Sequence, residues 1–254
     1  MIDRKNSVWD DKDGTKLLQY LPELIPETLA AELESELATL IQNKPPKLRK
    51  QHRFPSGPNS TNSNKKPRGS YEFLIRQSQG HRKKKPGLST DLTGSSAQVN
   101  ASLAFLSSAS VHRLIEMLSN ALCALDEEIW STYREKYEKG EKLSPYWSKL
   151  GHRNGCFLSL FILVNIYTDP HFDINDIPDG YAVMVTLGAY EGGPLYVSDL
   201  KVCLPYKPRD VVFLRSRVLE HFSGPFDGNK RYVLVLTNNI NVFSWLEKFG
   251  TRVA

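Results

Sequence analysis

Three side chains of the kinds that bind transition metals fall in the second half of the chain. Pro170-His171-Phe172-Asp173 ends an apolar run, and in extended backbone residues two apart project to one face, so an imidazole and a carboxylate can share one ion. His221 lies 48 residues beyond Asp173, at the end of DVVFLRSRVLEH. Two histidines and one carboxylate form a facial triad suited to non-haem Fe(II), with three adjacent coordination positions left for co-substrate and dioxygen. On its own His221 equally suits a histidine bonded to backbone. Arg231, ten residues later, opens the apolar run RYVLVLT. It either binds a carboxylate through its planar fork or stands exposed at a strand start, paired with an acid such as Asp227.

The elements that must position these residues follow from periodicity. The chain has 254 residues. Leu17 to Ile25 reads as extended, Pro26 suits a first helical position, and Leu29, Leu33, Leu37, Leu40 and Ile41 recur at helical spacing. Residues 43–100 are rich in Pro, Ser, Asn, Gly and Lys and read as a long loop or arm, with YEFLIR (71–76) its one strand. From Ala101 to Lys139 a 3.6-residue period returns and predicts helical support. After Gly155, short apolar runs cut by turns predict roughly eight strands, and WLEKFGTRVA reads as a terminal capping helix. The expected architecture is α+β, a barrel or jelly roll backed by N-terminal helices. One domain is expected: strand and helix over 1–42, basic arm over 43–100, helical support over 101–150 and catalytic core over 151–254.

The net charge of +5 is unevenly spread: residues 44–85 hold 13 basic side chains and one acidic, net +12, whereas 1–43 are net −5 and 86–254 net −2. Such a segment either neutralises phosphates or is a solvated insert or import signal. No run approaches eighteen consecutive apolar residues, so no membrane span is expected. Cys123, Cys156 and Cys203 form no CxxC, which argues against a disulfide framework or a cysteine metal site and for a reducing compartment.

The order HxD, His, Arg on successive strands resembles the Fe(II)/2-oxoglutarate dioxygenases with a double-stranded β-helix core. HFDINDIPDGYAVMVTLGAYEGGPLYV, followed by YKPRDVVFLRSRVLEH, is most similar to their TET/JBP branch, including its small fungal members. Gly180-Tyr181 and the turn of Gly188, Tyr190, Gly192 and Gly193 carry that likeness beside the HxD. It implies that His171, Asp173 and His221 bind Fe(II), and that Arg231 holds the distal carboxylate of 2-oxoglutarate, with dioxygen as the other co-substrate. It implies further that Asn165 and Tyr167 match the Asn-x-Tyr pair that related enzymes place on the co-substrate. Many relatives carry Ser or Thr two residues after the arginine; here that residue is Val233, so another hydroxyl must complete the carboxylate site.

The implied activity is oxidation of a methylated base in double-stranded DNA, with 5-methylcytosine taken to its hydroxymethyl, formyl and carboxyl forms by a monomer in the nucleus. N6-methyladenine is the alternative substrate, and a non-catalytic DNA-binding barrel the alternative from another class. Chemistry on a duplex base requires flipping it out. Lys65, Lys66, Arg68, Arg82, Lys83, Lys84 and Lys85 are the candidate phosphate contacts, Tyr181 a stacking partner, and Asp176 or Asp179 an acceptor for an exocyclic amine.

Overall fold

A computed structural model describes residues 4–49, 67–76, 85–142 and 154–249. Two short strands, β1 (Ser7–Asp10) and β2 (Lys16–Leu21), precede helix α1 (Glu27–Asn43). Strands β3 (Gly69–Arg76) and β4 (Gly87–Leu88) and a single 3-10 turn lead to helices α2 (Ser96–Leu106), α3 (Ala109–Leu125) and α4 (Glu127–Glu141). Asp126 ends α3 and starts α4, its carboxylate accepting from the Ile129 amide at 3.1 Å, so the long periodic stretch breaks into separate helices at one capping residue. Eight strands follow: β5 (Ser159–Val164), β6 (Thr168–His171), β7 (Ala182–Gly192), β8 (Leu195–Val197), β9 (Val202–Leu204), β10 (Val211–Leu214), β11 (His221–Ser223) and β12 (Phe226–Thr237). Helix α5 (Ile240–Phe249) is the last described element.

These strands form two antiparallel sheets. The larger has the order β1-β2-β10-β7-β12-β5-β3-β4 and the smaller β6-β11-β8-β9. From β5 onward the chain passes repeatedly from one sheet to the other, the winding of a double-stranded β-helix. The part of 43–100 expected to be mostly loop gives β3 and β4 to the large sheet and the start of α2.

Strand alternation builds a core on each face of the large sheet. Val183, Val185, Leu187, Leu234 and Leu236 pack with helix residues such as Leu33, Leu37, Leu118 and Phe243. Met184, Val212, Leu214 and Val233 face the opposite way and meet Leu195, Val197 and Leu204 of the small sheet. The helices thus leave the space between the sheets clear. Among the described residues no helix is long and apolar enough to cross a membrane.

Candidate metal centre and its cavity

The metal-ligand candidates meet between the sheets. His171, the last residue of β6, is the register partner of His221, the first residue of β11, so neighbouring strands set the two imidazoles side by side. Their ring centroids lie 4.4 Å apart. Asp173 follows directly, its amide donating to the Ser216 carbonyl at 3.0 Å. One carboxylate oxygen lies 3.9 Å from His171 Nε2 and the other 3.6 Å from His221 Nε2. Adjacent ligand atoms on one ion with bonds of about 2.1 Å sit about 3 Å apart, so the two carboxylate-to-imidazole gaps exceed a loaded site by less than about 1 Å. Both histidines are buried.

The backbone also selects the imidazole tautomer. His171 Nδ1 faces the Asp169 carbonyl at 2.7 Å, and His221 Nδ1 faces the Leu219 carbonyl at 3.0 Å. A carbonyl can only accept, so each Nδ1 carries the proton and each Nε2 turns its lone pair to the centre. The loop beyond Asp173 is anchored three times: Ser216 Oγ donates to the Asp176 carboxylate at 2.8 Å, Arg217 Nη1 donates to the Asp176 carbonyl at 2.8 Å, and the Ile240 amide donates to the Asn175 carbonyl at 2.9 Å. Among the described residues, His171, Asp173 and His221 are the one group of three able to hold a metal ion.

The triad opens into a cavity of about 560 Å³. This is within the usual range for sites that enclose small molecules. Its floor is the inner face of the large sheet, where register aligns Met184, Val235, Phe161 and Glu72 in one row across β7, β12, β5 and β3. Thr237, Ser159 and Leu74 form the next row.

Arg231 is 1 % exposed, which excludes the exposed strand start paired with Asp227. Its Nη1 donates to the Ile166 carbonyl at 2.9 Å, and the guanidinium packs on the rings of Phe226, Tyr190 and Tyr206 at 5.1, 5.3 and 5.7 Å. Gly193 makes room for it: φ there is +67°, and a Cβ would stand 3.0 Å from Arg231 Nε. Among the described residues this guanidinium has no carboxylate partner, and its Nε has no hydrogen bond. A buried cation so placed calls for an anion.

Next to it stands Tyr206, whose buried hydroxyl has no partner among the described residues and which lines the cavity. Burial pushes its phenol well up, so it remains a neutral donor. A guanidinium Nε–H and a phenol, both lacking acceptors, suit the distal carboxylate of 2-oxoglutarate, while the two-histidine, one-carboxylate set suits Fe(II). Tyr206 is then the hydroxyl that Val233 cannot supply. No spacing in the sequence singled it out, because it sits at φ +52° in a loop, outside any periodic element.

Other expected site residues lie elsewhere. Asn165 has φ +52°, which ends β5 and removes the strand parity expected between Asn165, Tyr167 and His171. Its side chain instead donates to the Pro67 and Asn229 carbonyls and accepts from the Arg231 amide at 2.9 Å, clamping the strand that carries Arg231. Tyr167 is half-buried and does not line the cavity. Tyr181 faces the helices, with its hydroxyl on the Lys16 carbonyl at 2.8 Å, so it cannot stack on a ligand in the cavity. Asp179 is exposed, 4.0 Å from Arg215, and outside the lining, whereas Asp176 lines the cavity. Lys85 is exposed and Arg68 half-buried; Lys65, Lys66, Arg82, Lys83 and Lys84 lie outside the described residues.

No protein-family model matches the sequence, and no curated protein matches it. Among solved structures, NgTET1 in complex with 5mC DNA aligns with 92 % of this chain and 76 % of its own, at a TM-score of 0.53 and 16 % identity. The chain has the fold of a TET-like 2-oxoglutarate oxygenase. A 2OG-Fe(II) oxygenase family oxidoreductase from Burkholderia pseudomallei aligns with 87 % of this chain and 82 % of its own, at a TM-score of 0.42 and 14 % identity. The collagen prolyl hydroxylase vCPH of Paramecium Bursaria Chlorella virus-1, in its 2OG complex, aligns with 32 % of this chain and 57 % of its own, at a TM-score of 0.27 and 20 % identity.

Proposed function

We propose that this protein is an Fe(II)- and 2-oxoglutarate-dependent oxygenase that oxidises a methylated base in double-stranded DNA, with 5-methylcytosine as substrate. The observation that carries this reading is the buried triad opening into one cavity with Tyr206, beside an Arg231 guanidinium that has no carboxylate partner among the described residues. Bound together, the metal, 2-oxoglutarate and dioxygen supply an oxidant able to hydroxylate an unactivated C–H, with release of succinate and carbon dioxide. His171, Asp173 and His221 hold the metal from one side; Arg231 and Tyr206 orient the co-substrate by its far carboxylate. The apolar residues Leu195, Met184 and Val233 keep water from the reacting atoms.

The basic segment supports DNA as the substrate carrier. Glu72 and Leu74 of β3 line the cavity, and the sequence on both sides of β3 is the lysine- and arginine-rich part of the chain. Phosphate-binding charge is thereby joined to the cavity wall by one strand. NgTET1, whose fold this chain shares, was solved with 5mC DNA. Such a substrate also gives the protein a nuclear place of action.

The deciding experiment incubates purified protein, Fe(II) and 2-oxoglutarate with duplexes carrying 5-methylcytosine or N6-methyladenine, followed by mass spectrometry of the nucleosides. Hydroxymethyl-, formyl- or carboxylcytosine is the expected product. Loss of N6-methyladenine alone moves the substrate to adenine, and DNA binding with no succinate formed shows a non-catalytic barrel.

A further inference from the structure

Exposure alternates along the metal loop. His171 is buried and Asp173 half-buried, whereas Phe172 and Ile174, the residues that alternate with them, are 41 % and 68 % exposed. Both line the cavity, so they stand on its lip. Five large apolar side chains are exposed among the described residues, and three of them lie here: Phe172, Ile174, and Val218 on the turn whose Ser216 carbonyl accepts from the Asp173 amide. Isolated apolar residues on a surface are ordinary, but a group of them at the mouth of a site marks a surface that meets a partner.

Neither metal binding nor packing explains this pair. The metal centre uses His171 and Asp173, and neither Phe172 nor Ile174 belongs to the core on either face of the large sheet. The lip is held in place, because Asp173, Asn175 and Asp176 are all bonded to the turn 215–217 or to the start of α5. An apolar group fixed in this way covers a partner with little further loss of freedom. The partner must also be one that reaches the metal. A methyl group on a base lies one ring's width from the sugar, so a duplex that delivers it to the triad brings the neighbouring bases against the residues beside the ligands. Taking one base out of the stack bares the flat faces of the bases above and below it, and apolar side chains at such a gap offset the cost of opening.

We propose that Phe172 and Ile174 form an apolar wedge that covers the base faces bared when the methylated base leaves the stack, and so holds the duplex open over the metal. The inference rests on the reading given under Proposed function and deepens it. Basic side chains meet phosphates whether the stack is closed or open, whereas this pair has a partner only in opened DNA. The wedge therefore acts on the flipping step, and its effect depends on how firmly the target base is held in its pair.

The test compares two duplexes with one 5-methylcytosine each, set opposite guanine in the first and opposite an abasic site in the second, where no pair holds the base. kcat/KM is taken from the oxidised nucleoside with Fe(II) and 2-oxoglutarate in excess. Ile174→Ala is expected to lose about tenfold on the paired duplex and less than about threefold on the abasic one. Ile174→Leu, which keeps nearly the same apolar area, restores most of the loss, and Phe172→Ala shifts the ratio of the two duplexes in the same direction as Ile174→Ala. That ratio is independent of how much of each variant is folded and metal-loaded. Equal losses on both duplexes, or no loss on either, overturn the wedge. So does an Ile174→Ala variant that turns a dimer into a monomer in sedimentation while the ratio stays at its wild-type value, since a second copy then covers the lip. Wild-type protein that makes succinate yet leaves 5-methylcytosine and N6-methyladenine intact in paired and unpaired DNA overturns the DNA reading instead, and this inference with it.

Discussion

Asp91 and Arg231 are both charged, both inaccessible to water and both close to the cavity, yet their surroundings differ. Asp91 is 0 % exposed and meets Lys44 at 3.5 Å, Lys47 at 3.8 Å, the Arg49 guanidinium and the Glu72 amide at 2.8 Å. Lys44 in turn donates to the Asp91 carbonyl at 2.6 Å and Ser102 Oγ at 2.8 Å. Arg231 has aromatic rings and backbone carbonyls for company, and no carboxylate among the described residues. The first cluster sets charge against charge and holds the root of the basic segment to β3; the second is left one anion short. Buried charge that meets opposite charge within the chain builds architecture, and buried charge that meets none marks where a ligand belongs.

The sharpest break of that contrast removes a metal ligand. Asp173→Ala is expected to cut succinate formation more than about a hundredfold, since even partners one shell further out change metal affinity by about 10 to 100-fold. The melting curve should barely move, which calorimetry can check. Asp91→Asn reverses the pattern: it leaves Lys44 buried without its counter-charge and costs about 3–5 kcal/mol in urea unfolding, while molecules that stay folded keep their metal site. Tyr206→Phe keeps the ring and removes only the hydroxyl, so the half-saturating 2-oxoglutarate concentration should rise about tenfold in a succinate assay. Replacing Lys83, Lys84 and Lys85 with Ala should flatten the salt dependence of duplex binding by up to about 2.7 in the log–log slope, with DNA-independent succinate formation untouched. An unchanged slope would show those lysines to be a linker or an import signal. Smallest of all, thiol titration of the native protein should label Cys123 and Cys203 but not Cys156, whose thiol burial pushes up to about 12 and shields from reagent at pH 8.

Much of this was legible in residue order. Leu29, Leu33 and Leu37 marked α1, the short runs after Gly155 gave eight strands, and the HxD, His and Arg all fall inside or beside strands. Positions that depend on backbone conformation were not legible. Asn165 and Tyr206 both have φ near +52°, and a single left-handed residue ends strand parity, so counting by twos across Asn165 misplaced Tyr167. Tyr181 failed for another reason. A tyrosine can face either side of a strand covered on both, and only its bond to Lys16 shows that it belongs to the helix side. The charge count over 44–85 also merged two roles, since Lys44 and Arg49 are locked into the Asp91 cluster while Lys85 stands in solvent.

The pairing of His171 with His221 across β6 and β11 also decides when the metal centre acquires its order. Both imidazoles are held by a sheet ladder and by their own backbone carbonyls, so the entropy of arranging them is lost once, as the chain folds. Metal loading then selects an already assembled socket rather than driving a coil to fold, as it does in zinc fingers. A chelator should therefore empty this protein without unfolding it, and activity should return on adding Fe(II) without a refolding step.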